Sequence, residues 1–368
     1  MRIAIIGTRG VPAQYGGFET MAEEVGSRLV ERGHDVVVYC RNPNQTLREY
    51  RGMKLVNLPA LPLRAAETLS HTGLSCLHLL FHRVDVAIMC NVANAVMLPI
   101  LRLRRIPAAV NVDGLEWKRS KWGSFGKRWY RLSERLGVRL AHEIIADSRG
   151  IGDYYFETFG TASTFIAYGA PILHDVDAQP VRDFGFEPGC YHLVVTRLEP
   201  ENHVAEIIEG YGLSGSRLPL VVVGDAKYGA AYRHRLVELA AGDPRVRLVG
   251  SVYDLQLLDA LYAHARSYAH GHSVGGTNPA LLRAMGAAVP VIAFDVVFNR
   301  EVLGDAGRFF SSPEQYAAAI DAIDADPVAA ATRGAALQAR AASEYDWDAV
   351  TDGYEALSAR LAKVESRT

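Results

Sequence analysis

Short runs of β-branched and aliphatic residues alternate along the chain with amphipathic stretches of three- to four-residue apolar spacing, and this alternation recurs many times. The rhythm predicts α/β architecture with parallel sheets. In the first half, 2–7, 35–40, 54–58, 85–90, 108–112, 143–146 and 164–168 read as strands, with helices such as 18–32 and 125–141 between them. The segment 174–189, HDVDAQPVRDFGFEPG, interrupts the rhythm with prolines, glycines and charges, and is expected to be a linker. Strands resume at 192–196, 220–224, 246–249, 267–270 and 291–294, alternating with helices near 202–213, 230–241, 254–265 and 278–286. An alanine-rich stretch, 328–342, reads as a further helix of high intrinsic propensity. Two doubly wound domains are expected, 1–173 and 190–345, with a cleft between the carboxyl ends of their strands where ligands would bind.

A length of 368 residues agrees with two domains, and 49% hydrophobic with 22% charged residues excludes a disordered, collagenous or coiled-coil chain. The net charge of −2 gives the whole molecule no pull on nucleic acid or membrane. The opening MRIAIIG is too short for a signal-peptide core, and no run approaches the roughly 18 apolar residues of a membrane span. Cys40, Cys76, Cys90 and Cys190 lie far apart without ligand spacing, which argues for a reducing cytosol and against a disulfide framework or structural zinc.

Candidate chemistry sits at strand ends. After the first strand comes a long loop, TRGVPAQYGGFET, where a plain turn needs only about two to six residues. Gly16 and Gly17 can bring backbone N–H groups and a helix N-terminus against an anion, or serve as a flexible turn and cap. No dinucleotide fingerprint is present, so NAD is not expected. In TRLEPENH, 196–203, Arg197 can clamp phosphate oxygens through its guanidinium or pair with Glu199 or Glu201. In HGHSVGGTNPALLRAM, 270–285, Thr277 or Asn278 can cap a helix while Gly275, Gly276 and the following amides form a nest for a diphosphate. His270 and His272 suit either proton transfer or hydrogen-bonded scaffold. The D-x-D tripeptides at 175–177, 324–326 and 346–348 close no strand and read as solvated carboxylates or caps rather than metal ligands. Between Arg102 and Arg139, eleven basic against three acidic residues give +8, leaving −10 for the rest, with Trp117, Trp122, Phe125, Trp129 and Tyr130 interleaved. Such a stretch suits an anionic bilayer or a phosphate-bearing acceptor, or is an ordinary helix with solvated arginines.

The order of glycine-rich N-terminal loop, R-L-E-P-E-N after a mid-chain strand, and glycine loop followed by P-A-L-L-R-A-M and P-V-I-A-F-D resembles the family 4 retaining glycosyltransferases of the GT-B fold. GTRGVPAQYGGFET, NVDGLEWKRSKWG, ADSRGIG, TFIAYGA and HSVGGTNPALLRAM are similar to the branch containing bacterial rhamnosyltransferases of surface-polysaccharide assembly. The resemblance implies two Rossmann-like doubly wound domains facing a cleft, and a closing helix, 346–368, that packs back towards the N-terminal domain. It implies transfer of a sugar, L-rhamnose from dTDP-L-rhamnose, with retention onto a glycan or lipid-linked acceptor at the inner face of the cytoplasmic membrane. The donor is a substrate; no cofactor, metal or nucleic acid is implied. Carried over by position, the catalytic candidates are Arg197 and Asp113. The donor side takes Gly16, Gly17, Glu199, Asn202, Gly224, Ser251, Val252, Tyr253, His272, Gly275, Gly276, Thr277, Asn278 and Arg283. The acceptor side takes Tyr15, Phe18, His71, Asn91, Asp113, Trp117 and Lys121. Gly275 and Arg283 stand where the wider family has two glutamates, and guanidinium cannot accept the ribose hydrogen bond expected of the second. That departure keeps open a glycosyltransferase-like partner subunit without turnover; a GT-B nucleotide-sugar epimerase is a third reading.

Overall fold

The computed structural model describes the chain except residues 14–15, 42–45, 63–65, 113, 120–121, 226–229 and 366–368, with backbone alone at 230, 364 and 365. Its contacts divide it into two α/β units: Met1–Lys118 with Trp122–Tyr168 and Trp347–Thr368, and Arg119–Lys121 with Gly169–Asp346.

The first unit is built on β1 (Arg2–Ile6), β2 (Asp35–Cys40), β3 (Glu49–Tyr50), β4 (Met53–Asn57), β5 (Val86–Cys90), β6 (Ala108–Asn111), β7 (Glu143–Ala146) and β8 (Thr164–Phe165). Their spatial order is β3-β4-β2-β1-β5-β6-β7-β8, parallel except for the β3–β4 pair. Strand β5 is buried along its whole length and β1 all but its first residue, as parallel strands covered on both faces require. Their connections carry α1 (Gly17–Glu31), α2 (Glu67–Leu79), α3 (Leu98–Leu103), α4 (Ser124–Leu140) and α5 (Arg149–Phe159). Local chemistry sets the ends of α5: the Ser148 hydroxyl accepts from Ile151 N–H, and Gly160 stops the helix at a φ of 67°.

The second unit holds β9 (His192–Val195), β10 (Leu220–Val223), β11 (Val246–Gly250), β12 (Ser267–His270), β13 (Val291–Phe294) and β14 (Arg308–Phe310), all parallel in the order β11-β10-β9-β12-β13-β14. Its helices are α6 (Gln179–Asp183), α7 (Val204–Leu213), α8 (Ala230–Ala241), α9 (Leu255–Ala263), α10 (Pro279–Gly286), α11 (Val297–Leu303), α12 (Pro313–Ala325) and α13 (Pro327–Glu344). Val194, Ile207, Tyr211, Ile292, Phe310 and Ile320 sit in its core.

The segment 174–189 is not a free connector. It contains α6, buries Val181 completely, sets Phe186 against Tyr191 at 5.7 Å and ties the Val176 carbonyl to His264 Nε2 at 2.9 Å. A few apolar residues scattered among its prolines and charges supply contacts that the composition conceals. Strands β3 and β14, of two and three residues, escape the pattern because so short a run carries no periodicity.

The final helix, α14 (Trp347–Glu365), belongs to the first unit and packs on α1. Arg28 pairs with Asp348 at 3.1 Å, Arg32 with Asp352 and Glu355 at 2.6 and 2.8 Å, and His34 with Glu355 at 2.8 Å. Tyr354, buried in the same unit, accepts from Asn111 Nδ2 at 2.8 Å.

Gly210 lets α7 approach the start of α12, where a β-carbon would collide with the Pro313 backbone carbonyl. Gly210→Ala is expected to cost about 1–3 kcal/mol by overpacking. Thermal melting checks this: an unchanged midpoint would mean that the two helices separate freely.

Candidate active site

Strand order reverses between β9 and β12 in the second unit and between β1 and β5 in the first. At such a switch point the two flanking loops diverge and leave a crevice at the carboxyl ends of the strands.

In the second unit, Arg197 follows β9 with its side chain 35% exposed. Its Nη1 lies 3.7 Å from Glu199 Oε1, and Glu199 Oε2 lies 3.6 Å from Nη1 of Arg119, which groups with this unit. Two guanidiniums therefore share one nearly buried carboxylate, an arrangement open to replacement by a stronger anion. Asn202 is almost fully buried and spends its Nδ2 donor on the Arg197 carbonyl at 2.7 Å. That bond positions the arginine turn, and Asn202 Oδ1 has no hydrogen-bond partner among the described residues. Gly224, with a φ of 147°, is likewise a packing residue: a β-carbon there would fall on the Thr196 carbonyl.

Across the switch point, His272 Nε2 hydrogen-bonds Thr196 Oγ1 at 3.3 Å and its ring stacks on His270 at 4.4 Å. Burial drives the His270 pKa down to about 3. It drives His272 well below the ordinary value too, helped by the adjacent His270, Arg197 and Arg119. Both rings are neutral at physiological pH, and His270 Nε2 and His272 Nδ1 have no hydrogen-bond partner among the described residues. His270, His272, Ser273, Gly275, Asn278 and Asn299 line a small hollow. Gly275, at a φ of 144° with open space where a side chain would stand, leaves the loop backbone bare beside Gly276. Asn278 caps α10 by accepting from Ala280 N–H at 2.9 Å, while Thr277 is buried.

Two supports escaped the sequence. Asn299 donates from Nδ2 to the carbonyls of His272 and Phe294 at 2.9 and 2.8 Å, fixing the loop from behind. His203, in the left-handed region, bonds the Gly271 carbonyl through Nδ1 at 2.7 Å and stacks on Phe294. Asn299 lies within α11 and His203 at the start of α7, and no periodicity marks either for this role.

Ser251, Val252 and Tyr253 follow β11, two strands from β9, or about 10 Å at ~4.8 Å per strand. Tyr253 is well exposed there, and Asp254 caps α9 through the Gln256 and Leu257 N–H groups. Arg283 points from α10 to Asp259 of α9 and forms a close ion pair. Among the D-x-D carboxylates, Asp177 accepts from Gln179 N–H, Asp326 caps α13, Asp324 lies 3.5 Å from buried His192, and Asp348 pairs with Arg28. Among the described residues no cluster of three or more His, Cys, Asp or Glu is placed to hold a metal.

In the first unit the long β1–α1 loop is held by carboxylates of its own helix: Arg9 N–H donates to Glu19 at 2.8 Å and Ala13 N–H to Glu23 at 2.7 Å. Gly16 is exposed with a φ of 124°, and a side chain there would meet the Glu19 carboxylate. Gly17 opens α1 and Phe18 is half-buried beside it. Asn91 ends β5 with a φ of 67°, its Oδ1 accepting from Ala93 N–H at 2.9 Å. His71, an acceptor-side candidate, is fully buried in α2, and burial pushes its pKa down to about 4. Trp117 carries the Arg131 guanidinium over its ring at 4.5 Å. Tyr15, Asp113 and Lys121 lie outside the described residues.

Beneath Trp117, Glu134 is buried and receives the Tyr154 hydroxyl at 3.1 Å; burial raises its pKa to about 7.

Comparison with known proteins follows the division into units. Residues 1–171 match a family described as a domain of unknown function (DUF1972), and residues 192–326 match glycosyl transferases group 1. The chain is 31% identical over 121 residues to the O-antigen chain mannosyltransferase B of Escherichia coli; the match spans 32% of each chain, about a third of that relative. Sucrose-phosphate synthase from Thermosynechococcus elongatus superposes with a TM-score of 0.85 at 19% identity, over 99% of both chains. Anabaena HepE, solved with UDP, gives 0.79 at 18% identity, over 98% of this chain and 100% of that one. The fold is GT-B.

Two measurements test the site's electrostatics. Arg283→Glu places two carboxylates together and is expected to destabilise by about 1 kcal/mol or more, and Asp259→Arg on the same chain should restore the melting temperature; a second substitution without effect would deny the pairing. Glu134 has a folded pKa above its unfolded one, so stability is greatest below the unfolded value near 4.5 and is lost as pH rises through about 7. The loss, about 3 kcal/mol at ~1.4 kcal/mol per pKa unit, should disappear in Glu134→Gln when melting is followed from pH 5 to 8.

Proposed function

We propose that the chain is a glycosyltransferase that moves a sugar from a nucleoside diphosphate to a hydroxyl, in the assembly of a cell-surface polysaccharide. The observation that carries this is the group at the β9–β12 switch point. Arg197, the neutral His272 ring and the Val274–Gly276 backbone, with open space at the Gly275 side-chain position, lie beside the N-terminus of α10. The match of 192–326 to glycosyl transferases group 1 and the partial match to a mannosyltransferase support the same reaction.

In this reading the acceptor oxygen bonds to the anomeric carbon as the bond from that carbon to the diphosphate oxygen breaks. Negative charge grows on the leaving diphosphate, where Arg197 and the loop amides stabilise it. No metal is needed for that neutralisation. Retention follows from attack on the face the diphosphate leaves, with the acceptor proton passing to the departing phosphate oxygen, so no protein nucleophile is required. The donor is assigned as dTDP-L-rhamnose from the motifs that resemble those of rhamnosyltransferases, and the base is assigned to the Ser251–Tyr253 segment. The acceptor, a glycan or a lipid-linked glycan at the cytoplasmic membrane face, is assigned to the first unit. Arg283 is held by Asp259 and brings no free charge to the donor site.

Calorimetric titration with dTDP, UDP, GDP and NAD tests the reading. Binding of dTDP or UDP, weakened at least about tenfold in Arg197→Ala, is expected for loss of a charged hydrogen bond to phosphate. Failure of all four to bind would overturn the donor site and favour a partner subunit without turnover.

A further inference from the structure

Helix α4 is fastened to the first unit by one face only. Tyr130, Ser133, Glu134 and Gly137 are buried, with Gly137 against Ala95 and Val92. The opposite face runs Phe125, Arg128, Leu132, Arg135, Arg139, at alternating spacings of three and four that place all five on one stripe. Lys127 and Arg131 flank the stripe, and both are exposed. Phe125 is 81% exposed and Leu132 48%, an unusual outlay of large apolar surface for a helix with five cations. The only acidic residue of α4, Glu134, is turned inward beneath Tyr154, so the outward face carries no negative charge. Helix α3 extends the same surface: Arg102 donates from Nε to the Leu140 carbonyl at the end of α4 at 2.9 Å. Leu103, 75% exposed, follows it, and then Arg104 and Arg105, also exposed.

We infer that the α3–α4 face of the first unit is a docking surface for an anionic lipid bilayer, with Phe125, Leu132 and Leu103 entering the interface and the arginines meeting the headgroups. The apolar residues decide the occupant. A polyanion such as nucleic acid or acidic glycan would use the cations and leave Phe125, Leu132 and Leu103 in water, and a second copy would oppose one basic face to another. A bilayer satisfies both halves, because cations meet charged headgroups while apolar side chains reach the acyl boundary. The inference stands on this surface alone and is independent of the reaction proposed above.

The test is co-sedimentation of the full chain with vesicles of phosphatidylcholine, and of phosphatidylcholine with about a third phosphatidylglycerol, at low and high salt. Binding to the anionic vesicles alone is expected. Arg128→Gln with Arg135→Gln and Arg139→Gln should weaken it about a hundredfold, each charge near the surface being worth roughly fivefold. Phe125→Ser with Leu132→Ser, both at exposed sites and with the fold checked by circular dichroism, should leave weak binding that salt abolishes. Equal binding to both vesicle types, no binding at low salt, unchanged binding of the triple variant, or retention of heparin or DNA without vesicle binding would each overturn the inference.

Discussion

Parallel pairing is the constraint from which the rest follows. Strands that all run one way must be joined by crossovers, so every strand-to-helix loop falls on the same edge of its sheet. At β1–β5 and β9–β12, where the winding reverses, neighbouring loops part, and the backbone groups there have no ladder to join. The second unit fills its reversal with Arg197 and the His270–His272 pair, and leaves the glycine loop backbone uncovered. Asn202, Asn299 and His203 then act from behind, spending partly buried hydrogen bonds on the carbonyls of the loops. Partial shielding from water strengthens such bonds, and they hold the edge in one arrangement.

Many strands were readable because buried parallel strands are rich in valine and isoleucine, and β2, β7 and β13 coincide from end to end with stretches built on those residues. The linker was not, since its packing rests on single residues such as Val181 and Phe186 that no period announces. The loops bearing Arg197 and Gly275 were legible as departures from minimal turns, and Asn278 was legible as a cap. Which residues face outwards was less so: Asn202 and His71 have the chemistry of ligand-binding side chains, yet both are buried, and Asn202 braces the arginine turn. Side-chain direction depends on packing from distant elements, and a linear sequence does not display it.

A second theme is the use of internal carboxylates to hold groups that would otherwise be loose. Glu19 and Glu23 take loop amides, Glu199 lies between two guanidiniums and Asp259 answers Arg283. Each pair is local and partly shielded, where electrostatic contacts orient side chains more reliably than they add stability.

The placement of α14 in the first unit makes the second an insertion in a longer chain segment. The order of synthesis then differs from the order of completion. β1 is synthesised before the second unit, yet the first unit lacks the helix that covers α1 until residues 347–365 have followed that unit. The 169–346 stretch has all its strands in hand earlier. The half translated second is thus the half that can finish folding first, and the C-terminal turns that carry Asp352 and Glu355 act as the clasp that closes the half begun earliest.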